Sequence, residues 1–174
     1  KEQGVRFSQR QKKAIRSAVE EGVLVITGGP GTGKTTIIRC ILSLLKEDND
    51  ILLCAPTGRA AKRMSEATGE EAKTIHRLLE YGGDADTFAR SQDYPLECDC
   101  LIADEMSMVD VVLMRGLLRA ILPGTRLILV GDADQLPSVG AGNVLHDILE
   151  SDAVPNVRLT DIFRQDESSM IVLN

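Results

Sequence analysis

Val23-Leu24-Val25-Ile26-Thr27-Gly28-Gly29-Pro30-Gly31-Thr32-Gly33-Lys34-Thr35-Thr36 joins an apolar run, a glycine-rich turn and a Lys-Thr pair in immediate succession. The part from Gly28 fits G-x-x-x-x-G-K-[ST], the phosphate-binding loop. Its surroundings fit too. Val23–Ile26 reads as a buried strand, and Ile37-Ile38-Arg39-Cys40-Ile41-Leu42 opens a helix. Glycines let backbone N–H groups turn inward around phosphate oxygens, and the helix N-terminus adds the positive end of its dipole. Lys34 reaches the β- and γ-phosphates as a point charge, and the Thr35 hydroxyl is a magnesium ligand. The candidate nucleoside triphosphate site is therefore Gly28, Gly29, Pro30, Gly31, Thr32, Gly33, Lys34, Thr35 and Thr36.

The rest of the chain alternates in the same way. Ser8-Gln9-Arg10-Gln11 is a capping box that starts a helix ending near Gly22. Ile51–Ala55, Cys100–Ala103 and Leu127–Val130 read as buried strands, and Asn156–Thr160 as a fifth. Helices are predicted from Arg59, over Ile75–Leu79 behind Thr74, over Asp110–Leu122 and near Gly142–Glu150. Strands alternating with helices predict an α/β domain with a mainly parallel sheet. The strands are apolar throughout, so helices should cover both faces.

Composition bounds the function. The 174 residues carry 43% hydrophobic and 26% charged side chains, as an ordinary globule does. No apolar run approaches a membrane span, no signal-peptide pattern opens the chain, and a cytoplasmic setting is expected. The four cysteines form neither a zinc knuckle nor a C-x-x-C pair and read as reduced thiols. A net charge of −6 argues against gripping nucleic acid by bulk electrostatics, although Arg59, Lys62 and Arg63 form a local basic cluster.

Polar residues collect just past the strands' carboxyl ends, where ligands bind in open α/β sheets. Asp104 follows the Cys100–Ala103 strand and can hold magnesium, through water. Glu105 is placed to orient or deprotonate an attacking water. Gln135 lies beyond the next strand, within reach of a γ-phosphate or that water. Asp132 and Asp134 beside it read as turn formers. Glu71-Ala72-Lys73 superficially matches a nuclease E-x-K but reads as polar loop.

Gly28–Thr36, Ala55-Pro56-Thr57-Gly58-Arg59-Ala60-Ala61, Thr74-Ile75-His76, Asp104-Glu105-Met106-Ser107, Gly131–Ser138 and Phe163-Arg164-Gln165 occur in that order. Together they resemble the ordered motifs of superfamily-one helicases, most of all the RecD-like branch that includes the exonuclease V alpha subunit. The resemblance covers nearly the whole chain. It implies a RecA-like P-loop fold, ATP and Mg2+ as cofactors, and single-stranded DNA as a partner. It matches Gln11 to an adenine-reading glutamine, and Thr57, Gly58, Arg59, Thr74 and His76 to DNA-contacting segments. It matches Arg164 to an arginine that contacts the γ-phosphate, so Lys34, Glu105, Gln135 and Arg164 form the implied catalytic set.

Family members carry a second RecA-like domain, and opening and closing the cleft between the two drives translocation. The chain ends at Asn174. Residues 1–174 are therefore expected to be the first motor domain of a 5′-to-3′ DNA helicase, partnered by that second domain and by other subunits in an exonuclease V-type complex. An RNA helicase of the same superfamily is the alternative, and a nucleotide-dependent interaction module without unwinding is a further one. A small-molecule kinase would need an acceptor site and lid, and neither is legible. Residues 81–97 fit no element of the alternating core and are long for a connection. A short hairpin of Thr87–Arg90 against Tyr94, turning at Ser91-Gln92-Asp93, is expected there. The resemblance implies a small pin at that place, against which a duplex is split.

Overall fold

The structure, a computed structural model, describes residues 7–82 and 87–162. Its centre is a six-stranded, all-parallel sheet. In chain order its strands are β1 (Val23–Gly28), β2 (Ile51–Ala55), β3 (Ala72–Thr74), β6 (Cys100–Ala103), β7 (Arg126–Gly131) and β8 (Asn156–Leu159). Across the sheet they run β3-β2-β6-β7-β1-β8. Two further strands, β4 (Tyr81–Gly82) and β5 (Thr87–Phe88), pair antiparallel as a separate hairpin.

Alternation along each strand divides the apolar side chains between two cores. Leu24 and Ile26 of β1, Ile102 of β6 and Ile128 and Val130 of β7 point to one face. There they meet α1 (Gln9–Glu20), α2 (Lys34–Leu45) and α3 (Gly58–Thr68), through Ala14, Ala18, Ile37, Ile38, Ile41 and Met64. Val25, Leu101, Leu127 and Leu129 point to the other face. They meet α4 (Ile75–Leu78), α5 (Val111–Ala120) and α6 (Val144–Ser151), through Ile75, Leu113, Leu117 and Leu145. Each fully buried leucine or isoleucine contributes about 1.5–3 kcal/mol over leaving it in water. The predicted doubly covered sheet is what these residues build.

Caps set the helix starts. Ser8 and Gln11 exchange the two hydrogen bonds of a capping box on α1. The hydroxyls of Thr57 and Thr74 accept from the N–H groups of Ala60 and Arg77, and the Asp110 carboxylate accepts from that of Leu113.

The structure corrects the sequence reading in three places. Ala72-Lys73-Thr74 is not loop but the edge strand β3, paired with β2 at Leu53↔Ala72 through Ala55↔Thr74. The hairpin pairs Thr87-Phe88 with Tyr81-Gly82, not with Tyr94. Arg90 explains why: its N–H donates to Leu79 O, and its guanidinium binds the Glu80 carboxylate, pulling the segment back toward α4. A 3-10 turn, Met106–Met108, intervenes after β6 where no element is predicted.

Candidate nucleotide site and nucleic-acid face

Gly31 (φ 78) and Gly33 (φ 84) occupy the left-handed region that lets the phosphate loop wrap before α2. The Thr32 hydroxyl donates to Gly29 O at 2.8 Å and braces the turn. A Cβ on Gly28 would lie 2.6 Å from that hydroxyl and 2.9 Å from the Leu159 Cβ, so β8 and the loop both require glycine there. The Lys34 ammonium donates to Gly28 O at 2.6 Å and Gly29 O at 3.0 Å, which holds it across the loop's mouth.

Gln11 is buried against this loop. Its Oε1 accepts from Ser8 N–H at 2.9 Å and its Nε2 donates to Thr32 O at 3.1 Å. One N–H and one lone pair of the amide remain outside these two bonds.

β6 and the helix start beside it bring the acidic pair in. Thr35, Asp104 and Glu105 line one pocket of about 100 Å³ together with Arg63 and Met64 of α3. Burial raises the Asp104 carboxyl above the ordinary value. The Glu105 N–H bound to its Oδ1 at 2.8 Å opposes that, as do the charges of Lys34 and Arg63, while the neighbouring Glu105 charge adds to it. Glu105 itself has φ 55, an uncommon conformation for a residue with a side chain. Its Oε1 accepts from Arg63 Nη2 at 3.3 Å.

Gln135 stands in the turn that follows β7, its Oε1 accepting from the buried Ser107 hydroxyl at 3.1 Å. Asp132 Oδ1 accepts from Asp134 N–H and closes the turn. Thr27 at the end of β1 accepts from Ala133 N–H and ties that turn to the phosphate-loop strand. Asp134 takes the Arg158 guanidinium at 2.9 Å.

Along the same edge, Thr57, Gly58 and Arg59 open α3, with Arg59 and Gly58 exposed. Thr74 caps α4, and exposed His76 lies edge-on to Tyr81 with ring centroids 5.3 Å apart. Lys34, Thr35, Asp104 and Glu105 thus come together, Gln11 and Gln135 flank them, and the Thr57–Arg59 and Thr74–His76 segments sit along the edge. Arg164, with Phe163 and Gln165, lies outside the described residues. Arg63 and Ser107 were missed as site residues. Ser107 lies inside the Asp104–Ser107 stretch and was legible there; Arg63 stands four residues after Arg59 on the same helix, but its contact with Glu105 comes from packing between elements distant in the chain.

A family model described as AAA domain matches residues 11–141. The chain belongs to that family. This AAA domain is 42% identical over 167 residues to the ATP-dependent RecD2 DNA helicase of Deinococcus radiodurans, covering 95% of the chain. It is 43% identical over 169 residues to the RecBCD enzyme subunit RecD of Mycolicibacterium smegmatis, covering 82% of the chain. It spans 23% and 30% of the lengths of those relatives. Among solved structures, Pif1 of Bacteroides sp in complex with ADP-AlF4 superposes with a TM-score of 0.68 at 23% identity, over 93% of this chain and 44% of that one. The Pif1 helicase of Candida albicans gives 0.68 at 25% identity, over 93% and 41%. The fold is thus the RecA-like P-loop fold of helicase chains. No helix among the described residues is long and apolar enough to cross a membrane.

Proposed function

We propose that this chain is the ATP-hydrolysing motor domain of a 5′-to-3′ DNA helicase, coupling hydrolysis to movement along single-stranded DNA and to unwinding. The observation that carries the reading is the pocket in which Thr35, Asp104 and Glu105 meet beside the phosphate loop. The names of the relatives favour DNA as the polymer, and the RecBCD subunits among them favour assembly with other subunits. A second RecA-like domain completes the cleft.

In this reading the loop N–H groups hold the triphosphate, and Lys34 exchanges the carbonyls of Gly28 and Gly29 for phosphate oxygens. Glu105 orients the attacking water from a carboxylate that Arg63 steadies. Gln135 reports on the γ-phosphate through Ser107, and Arg164 adds a cation to it. Gln11 contacts the adenine with the part of its amide left unused. A hydroxyl and a carboxylate in one small pocket suit magnesium, which prefers oxygen donors and is held by one or two carboxylates plus substrate phosphates. Thr35 and Asp104 would hold the ion, which would neutralise charge developing on the phosphates. Thr57, Gly58, Arg59, Thr74 and His76 line the DNA track, and the β4–β5 hairpin is the pin.

Calorimetry tests the core of this. ATP with magnesium binds the parent chain, and Lys34→Ala abolishes binding. Undiminished binding by Lys34→Ala would remove the basis of the reading.

A further inference from the structure

Two paired residues per strand cannot hold a hairpin in place, since isolated two-stranded ribbons are marginal in water. Whatever fixes β4 and β5 must lie in their contacts with the domain. Phe88 lines two hollows, of about 320 and 290 Å³, so support there is sparse and the remaining contacts matter.

Phe88 makes the decisive one. Its ring packs onto α5 at Gly116, where an added Cβ would stand 2.7 Å from both Cδ2 and Cε2 and 3.2 Å from Leu79 Cδ1. The ring also meets Tyr81 at 5.5 Å and His76 at 6.1 Å, centroid to centroid, so moving clear of an added Cβ would disturb both contacts. Gly116 is buried in the middle of a ten-residue helix, where glycine is about 1 kcal/mol less favourable than alanine. A mid-helix glycine at that cost calls for a packing reason, and Phe88 supplies it.

We infer that Gly116 is a positioning residue for strand separation: it is the seat on which Phe88 fixes the β4–β5 hairpin to α5. The inference rests on the pin reading given above. A second anchor, the Arg90 guanidinium on Glu80, Pro95 O and the Tyr94 ring, tethers the hairpin's exit.

The test uses the full-length protein that carries this domain. Hydrogen exchange at the Ala89 and Arg90 amides, which donate to Glu80 O and Leu79 O, reports the seat without reference to DNA. Gly116→Ala should speed that exchange about tenfold, as a displaced ring would. It should lower duplex unwinding by a similar factor while sparing DNA-stimulated ATP turnover. Phe88→Ala, which leaves α5 untouched, should do the same, and Phe88→Leu added to Gly116→Ala should restore slow exchange and unwinding. Unchanged exchange in Gly116→Ala, or no restoration by the second change, overturns the seat. Replacing residues 82–87 by a short glycine link separates the two ideas. If that removes unwinding and Gly116→Ala does not, the positioning role is wrong and the pin reading stands; if unwinding survives the replacement, the pin reading falls and the positioning role with it.

Discussion

Glu105 is held in a left-handed backbone conformation, next to a carboxylate that burial makes harder to ionise, and faces a guanidinium from another helix. A non-glycine residue at positive φ costs about 1–2 kcal/mol, and such strain persists where surrounding structure enforces it. Here the Glu105 N–H bound to Asp104 Oδ1 enforces it, and the turn aims the two acids from one strand end. Glu105→Gln should keep nucleotide affinity and lower ATP turnover by at least about 10²-fold, the lower end of general-base effects. Arg63→Ala should leave the melting temperature nearly unchanged, because the Arg63 side chain is 63% exposed and such pairs contribute about 0–1 kcal/mol. Its effect should fall on turnover instead, through a Glu105 left unsteadied. Steady-state turnover with isothermal binding separates these cases, and weak binding by Glu105→Gln would make Glu105 a ligand rather than a base. The acidic pair was legible because it follows an apolar run. The Arg63 contact was not, since it depends on how α3, packed against β2 and β3, is set relative to the end of β6.

At the scale of elements, the 3-10 turn Met106–Met108 links two strand ends. It can lie on β7 only because residue 131 is glycine: a Cβ there would be 3.1 Å from Met106 N, 3.3 Å from Ser107 N and 2.9 Å from Leu145 Cδ2. That approach sets the Ser107 hydroxyl 3.1 Å from Gln135 Oε1. Ser107→Ala and Gln135→Ala should therefore be non-additive in ATP turnover, with a coupling of at least about 0.5 kcal/mol. Strict additivity in the double-mutant cycle would mean the bond plays no part in turnover. The same scale shows why short elements escaped the sequence reading. A strand of three residues with a lysine at its middle has no period to detect, and β3 becomes visible only through the β2 edge it pairs with. The hairpin hid for a related reason: its partner strand, only two residues long, reads as part of the 81–97 connection, and the bonds that fix it come from Leu79 and Glu80.

For the whole molecule, strand order decides what meets what. The apolar runs and the glycine-rich loop gave the α/β alternation, and from it the carboxyl edge on which the site lies; the order β3-β2-β6-β7-β1-β8, which sets β6 and β7 between β1 and β2, is long-range pairing that no local pattern encodes. The central strands also carry a whole-molecule signature in their thiols. Cys100 of β6 is buried, and its pKa is raised from 9.0 to about 11. Burial is the main cause, the Arg126 charge opposes it, and Cys98 and Asp99 add to it. A thiol raised in the folded state keeps its proton where the unfolded chain gives it up. Its contribution to stability is therefore fully present below pH 9 and is lost as pH rises through about 11. Other groups titrate in that range, so the comparison must be with a variant at the same pH. Cys100→Ala should be less stable than the parent near pH 8, having lost buried contacts. The gap should narrow steadily between pH 9 and 11, because only the parent carries the cost of ionising a buried thiol. Urea midpoints across that range measure it directly. A gap that stays constant with pH would show that Cys100 ionises as freely in the folded sheet as in the unfolded chain.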